Sequence, residues 1–259
     1  MTPGDGVYLS KIKRQDKMEP FITITISMYN NIEGLEKTVP SIMKQDYKNA
    51  EVIISDDGST KFDTSKIYEY ADILRTKYKD VYVNINEKNE GTVKHLNKIY
   101  KMAKGKYFYD VSPGDELVDT DTLTKVTDYF EKTGLLLVST KRRDEYDDGH
   151  IKIRPSFLVG IALKFFPKLL CKYMINKKNV LSGCGTYYCK EMFEKYGYFN
   201  EEYVLLEDYP YYVSLLEKGV KIGWYSKVTI SHEMGGVSNG DVHPLIWKDI
   251  EHFKSKYGK

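Results

Sequence analysis

Apolar residues recur along the chain with two distinct periods. Residues 21–27, F-I-T-I-T-I-S, are continuously β-branched or alternating and read as a first strand, ended by Tyr29-Asn30-Asn31. Leu35, Val39, Ile42 and Met43 then fall on one helical face, and Asp46-Tyr47-Lys48-Asn49 closes that helix before a second strand at 51–55. The alternation continues with a helix at 64–77, a strand at 81–85, a helix at 92–103 and a strand at 107–111. Repeated βα units predict an α/β fold with a mainly parallel central sheet flanked by helices. Ligands gather beyond the carboxyl ends of strands in such sheets, which singles out the polar residues at 27–30, 56–59, 86–91 and 112–116.

The second half is less regular. A helix at 120–132 and a strand at 135–140 lead into an expected acidic loop with Asp144, Glu145, Asp147 and Asp148. A basic apolar stretch at 151–179 follows, then a turn-rich segment with Gly183 and Gly185, a helix at 208–218 and a strand at 221–225. No internal repeat or flexible linker interrupts the chain. The expected organisation is a tail at 1–20, one domain at 21–240 with halves at 21–118 and 119–240, and a C-terminal helix at 241–259 whose ending is compatible with truncation.

Charge changes the picture locally. The chain of 259 residues has a net charge of only +2, which points to neither nucleic acid nor acidic partners. Residues 151–179, however, carry seven basic and no acidic side chains among Phe, Leu and Ile. That pattern fits a helix kinked at Pro167 and lying on an anionic membrane, or a core helix whose lysines reach out to water. No stretch is long and apolar enough to span a bilayer, and residues 1–20 lack a signal-like apolar run. The expected location is cytoplasmic, peripheral on the inner face of the cell membrane. Cys171, Cys184 and Cys189 form no C-x-x-C pair and are expected as reduced, buried thiols. The 23 tyrosines exceed what a core needs, so some are expected to line a groove.

Residues 52–60, V-I-I-S-D-D-G-S-T, put two carboxylates and a glycine turn at a strand end. A carboxylate there can accept the N3 hydrogen of a uracil ring, or it can simply cap a turn. With this string in place, the chain resembles the family 2 glycosyltransferases, inverting enzymes of bacterial polysaccharide synthesis, over residues 21–240. The matching pieces are T-I-S-M-Y-N at 25–30, S-I-M-K-Q at 41–45, D-D-G-S at 56–59, N-E-G at 89–91 with Asn97, and A-K-G-K-Y at 103–107. S-P-G-D at 112–115, G-Y-F-N-E at 197–201 and Glu207-Asp208 complete the series.

The resemblance implies the GT-A nucleotide-diphospho-sugar transferase fold and a set of roles. Ser27, Asp56 and Asp57 would hold the nucleoside of a UDP-sugar donor, with Tyr29 beside the base. Gly91 and Lys94 would lie near the diphosphate, Asp115 would bind Mn²⁺ or Mg²⁺, Gly183 and Glu207 would border the acceptor, and Asp208 would be the base. The implied acceptor is a lipid-linked glycan of a capsule or other surface polysaccharide. The departure is at 112–115, where the family pattern D-x-D-D is reduced to Asp115 alone; Glu116, His232 or water would complete the metal shell. Two rival readings follow: a nucleotide-sugar-binding module with weakened catalysis, or a nucleotidyltransferase. Against the second, 27–31 holds neither glycine nor a basic residue.

Overall fold

The computed structural model describes residues 19–146, 148–233 and 243–258. The first half follows the alternation: β1 (Ile22–Met28), α1 (Leu35–Met43), β2 (Ala50–Asp56), α2 (Lys66–Arg75), β3 (Asp80–Ile85), α3 (Thr92–Met102) and β4 (Tyr107–Asp110). β1 pairs in parallel with both β2 and β4, and β2 with β3. Even positions of β1 (Ile22, Ile24, Ile26) enter one apolar cluster with Leu35, Val39 and Leu74. Odd positions are buried threonines facing the other side, each with a partner: Thr23 Oγ1 donates to Glu51 Oε1 at 2.7 Å and Thr25 Oγ1 to Asp110 Oδ1 at 2.5 Å. The strand is thus covered on both faces without an orphaned hydroxyl.

The second half mixes directions. It comprises β5 (Glu116–Leu117), α4 (Thr122–Thr133), β6 (Leu137–Glu145), β7 (Ile151–Arg154), α5 (Phe157–Phe165), α6 (Pro167–Asn176), a 3₁₀ turn (Gly183–Gly185), β8 (Thr186–Cys189), α7 (Lys190–Tyr196), α8 (Asp208–Glu217), β9 (Gly223–Glu233) and α9 (Pro244–Tyr257). Among the described residues the sheet order is β3-β2-β1-β4-β8-β6-β9-β5, with β7 on β6. β8 runs antiparallel to β4 and β6, whereas β6 and β9 are parallel. The sheet is therefore parallel in the first half and mixed in the second.

Two expectations are corrected. Asp144 and Glu145 extend β6 instead of forming a loop, because buried Asp144 pairs with Arg142 Nε at 2.7 Å and Arg154 Nε at 3.1 Å. The segment 151–179 is not one helix: it opens as β7, and its helical part divides at Phe166, since Pro167 has no N–H to continue α5. Of the tyrosines, Tyr47, Tyr78, Tyr100, Tyr109, Tyr187, Tyr203 and Tyr212 are fully buried, while Tyr196, Tyr198, Tyr211 and Tyr257 line a groove with Asn200 and Lys256. Several of their hydroxyls are matched, with Tyr78 donating to Ile42 O at 3.1 Å and Tyr211 to Gly197 O at 2.8 Å. A second cluster, built on Tyr100, Phe108, Tyr188, Phe193, Phe199 and Tyr211, packs α3, α7 and α8 against the other sheet face.

Candidate active site

The carboxyl ends of β1, β2 and β3 lie side by side, with Met28 level with Asp56 and Asp56 with Ile85. Asn30, at φ 52°, stitches the first two loops: its Oδ1 accepts from Thr60 N at 2.9 Å and Lys61 N at 3.1 Å, while its own N–H donates to Ser59 Oγ at 2.7 Å. Asp56 is fully buried and both its oxygens accept from Ser59, so it shapes this turn. Asp57 Oδ1 accepts from Asn86 Nδ2 at 2.9 Å and Glu90 N at 3.0 Å, and Oδ2 from Gly91 N at 3.0 Å. These three bonds leave about one of its four lone-pair positions. Ser27 sits at the end of the β1 polar row and donates to Asp110 Oδ1 at 3.2 Å, and Tyr29 is exposed beside it.

Gly91 opens α3 at φ +86°, and a Cβ there would meet Val204 Cγ1 at 2.7 Å and Val204 O at 2.9 Å. Only glycine fits this position. Val93 N donates to the same Val204 carbonyl at 3.1 Å, joining the α3 N-terminus to the loop that precedes Glu207 and Asp208. Lys94 is exposed on the first turn of α3; one turn later Lys98 donates to Asn86 Oδ1.

The turn at 112–115 is cradled by α1: Thr38 Oγ1 donates to Asp115 O at 2.7 Å and to Ser112 O at 3.1 Å. Asp115 is 2% exposed. Its Oδ1 lies 2.7 Å from His232 Nδ1, while Oδ2 is buried without a hydrogen-bond partner among the described residues. His232 belongs to β9, one residue before its end, and residues 234–242 lie outside the described residues. Pairing of Glu116 with Ser231 and of Asp144 with His232 fixes its position. Burial disfavours the His232 imidazolium, but the bonds to Asp115 and Cys184 outweigh it and push its pKa up to about 10. Asp115 Oδ, Cys184 Sγ and a His232 ring nitrogen lie within 4.8 Å of one another.

Cys184 sits in the middle of the 3₁₀ turn, and its neighbour Gly183 faces two more carboxylates. A Cβ on Gly183 would stand 3.3 Å from Asp208 Oδ2 and 3.4 Å from Glu207 Oε1. Burial raises the pKa of Asp208 to about 6, partly offset by Tyr209 N–H, Asn179 and Arg142. Glu207 is pushed well above the carboxylate range by burial and then by Asp208. Environments that separate two adjacent carboxyls in this way leave one able to take a proton near neutrality while the other keeps its own. Asn179 Nδ2 donates to Asp208 Oδ2 at 3.3 Å. From α9, Asp249 accepts from three consecutive amides, Val204, Leu205 and Leu206, at 2.7–3.0 Å through Oδ2.

The sequence model described as Glycosyl transferase family 2 matches residues 23–197, more than half of the chain. The chain belongs to glycosyl transferase family 2. Its relatives include an uncharacterized glycosyltransferase of Haemophilus influenzae, 23% identical over 86% of this chain and 68% of its own length. Another is the Escherichia coli UDP-Glc:alpha-D-GlcNAc-diphosphoundecaprenol beta-1,3-glucosyltransferase WfaP, 28% identical over 77% of this chain and 72% of its own. Among solved structures, S. aureus TarS (residues 1–349) in complex with UDP-GlcNAc superposes with a TM-score of 0.68 at 20% identity, over 92% of this chain and 66% of that one. The Pyrobaculum calidifontis mannosyltransferase PcManGT, in complex with GDP-Man and Mn²⁺, gives 0.64 at 15% identity, over 96% and 70%. These likenesses show the GT-A fold. The chain spans 58% to 68% of the length of three of its curated relatives and 39% of a longer TarS chain.

Within this family 2 frame, Asp57 is bonded to Gly91 N at the start of the helix that carries Lys94, Asp115 and His232 meet at Cys184, and Gly183 faces Glu207 and Asp208. Sequence reasoning missed Asp110, whose pKa burial raises to about 6, together with Arg142, Asn179, Cys184 and Asp249. Asp110 carries a local signal as the polar end of Y-F-Y-D; the others are joined to the site only through tertiary contacts.

Proposed function

We propose that this chain transfers a hexose from a UDP-sugar to a hydroxyl of a lipid-linked oligosaccharide, with inversion at the anomeric carbon. One observation carries the reading: a single 3₁₀ turn sets Gly183 against the Asp208 and Glu207 carboxylates and the next residue, Cys184, against Asp115 and His232. Proton acceptor and phosphate-side cation site are thereby one residue apart. Asp208, ionised above pH 6, takes the acceptor hydroxyl proton as the oxygen attacks the anomeric carbon; the bond to the diphosphate breaks with its electron pair on the departing oxygen. Glu207, keeping its proton, borders the acceptor without competing as base. Asp115 and His232 fit a divalent ion, since Asp115 Oδ2 is buried with an open coordination position. Bound there, Mn²⁺ or Mg²⁺ would offset the charge that develops on the diphosphate. Asp57 offers its remaining lone pair to the uracil N3–H, Ser27 and Tyr29 border the nucleoside, and the α3 N-terminus with Lys94 faces the phosphates.

The substrates in WfaP's name support a UDP-sugar donor and a diphosphoundecaprenol-type acceptor. On α5 and α6, Phe157, Leu158, Phe165, Phe166 and Leu169 are more than half exposed among Lys164, Lys168 and Lys172, which supports docking on anionic lipid at the inner membrane face. Among the described residues no helix is long and apolar enough to cross a membrane. The decisive experiment incubates the protein with a panel of nucleotide sugars, Mn²⁺ and a lipid-diphosphate acceptor. UDP-sugar turnover in the parent, lost in Asp115→Ala unless donor and metal are raised together, is expected; binding without turnover across the panel would favour the catalytically weakened module instead.

A further inference from the structure

We infer that Cys184 supplies a thiolate ligand to the cation site at Asp115 and His232, making it a mixed oxygen, nitrogen and sulfur centre that selects thiophilic divalent ions over Mg²⁺. The inference rests on the proposed donor-side metal site and adds its chemical character. Three observations support it. The ligand atoms of Asp115, Cys184 and His232 lie within 4.8 Å of one another, so a small contraction places all three about 2.0–2.3 Å from one ion. Asp115 is 98% buried by its 2% exposure, and its Oδ2 has no hydrogen-bond partner among the described residues. The sulfur is also held in place: Arg142 Nη1 donates to Sγ at 3.4 Å and Ser182 Oγ lies 3.3 Å away, on a turn whose backbone is fixed by Gly185 N donating to Ser182 O at 3.3 Å.

The donor set decides the preference. Mg²⁺ demands hard oxygen ligands in near-octahedral geometry, and replacing one by sulfur is unfavourable. Mn²⁺, Co²⁺ and Zn²⁺ accept sulfur and imidazole, with affinity rising across that series. The reduction of the family's three carboxylates to Asp115 is thereby answered by ligands from two other elements, the 3₁₀ turn and β9. Binding releases the thiol proton of Cys184 and the imidazolium proton of His232, because thiolate and neutral imidazole are the ligating forms.

The test titrates the full-length, metal-stripped protein with Co²⁺ and reads its absorption spectrum. We expect a thiolate-to-cobalt charge-transfer band in the near ultraviolet at one equivalent, absent in Cys184→Ser although visible d–d bands persist. In parallel, Mn²⁺ should slow alkylation of Cys184, followed by peptide mass spectrometry in the unmutated protein, at concentrations where Mg²⁺ does not. The Mn²⁺ to Mg²⁺ affinity ratio should fall by about tenfold or more in Cys184→Ser, the scale on which coordination partners act. Visible bands without the charge-transfer band would show metal held by Asp115 and His232 alone, overturning the sulfur ligand and leaving the donor-site reading intact. No Co²⁺ binding, with or without UDP, would overturn both. A band that survives in Cys184→Ser would place the sulfur contact at Cys171 or Cys189 and likewise refute the inference.

Discussion

Asp208→Asn should abolish transfer and at the same time stabilise the protein above pH 6. The folded-state pKa of about 6 stands roughly two units above the ordinary 3.8, because burial disfavours the charged carboxylate. At about 1.4 kcal/mol per unit, the ionised side chain costs the native state up to about 3 kcal/mol. The sign follows from proton binding. Between pH 3.8 and 6 the native state holds the proton more tightly than the unfolded chain, so parent stability falls as pH rises through that window and the full cost is present above it. Asparagine removes this cost, but an amide nitrogen in place of one carboxylate oxygen can no longer accept from Asn179 as Oδ2 does, which returns part of it. At roughly 2–4 °C per kcal/mol for a domain of this size, we expect Tm to rise by about 3–6 °C at pH 8 and by about 1–2 °C at pH 4.5. Turnover should drop about 10²- to 10⁴-fold, and parent kcat/KM should fall below pH 6 as Asp208 protonates. Thermal melts across pH and steady-state kinetics read both effects. Equal Tm at pH 8, or activity within about tenfold of the parent, would refute the reasoning.

Asp57→Ala should weaken UDP binding by calorimetry, and because Asp57 also holds the Glu90 and Gly91 amides, it should lower Tm as well. Asp249→Ala should lower kcat by about 10- to 100-fold with little change in donor KM, since it loosens the approach to Asp208 without touching the donor; Asp249→Asn, which still accepts hydrogen bonds, should restore much of the loss. Gly91→Ala should cost about 2 kcal/mol or more in chemical denaturation, from the positive φ and the contact with Val204. Changing Lys164, Lys168 and Lys172 to Glu should remove co-sedimentation with anionic vesicles at low salt, and parent binding should weaken as salt rises; a parent that stays in the supernatant would remove the membrane from the reading.

The first half of the fold was legible because its signals are local. Alternation in 21–27 marks β1, and each loop that follows a strand carries polar residues within a few positions. The second half was less legible because charge was read as exposure. Asp144 looks like loop chemistry until Arg154 is brought back beside it by β7. The metal-side cluster was only partly visible for a similar reason. Asp115 and His232 are 117 positions apart, and nothing near Cys184 in sequence distinguishes it from the buried Cys171 and Cys189. Tyrosines serve both places, because a hydroxyl bonded to a backbone carbonyl is as well satisfied in the core, as at Tyr78, as beside a groove, as at Tyr211.

The clasp between Asp249 and the amides of Val204, Leu205 and Leu206 has a consequence for how this protein can be cut. The family match ends at residue 197, which invites a shortened version for expression or crystallisation. Any cut before α9 would strip three adjacent N–H groups of their shared acceptor, at a cost on the order of 1 kcal/mol each. It would also remove Phe253 from the aromatic packing on Tyr209, the residue that follows Asp208. Such a fragment would keep every strand of the first half and still slacken the segment on which the proposed base is mounted. The smallest unit that keeps this support therefore extends to a carboxylate some fifty residues beyond the end of the family match.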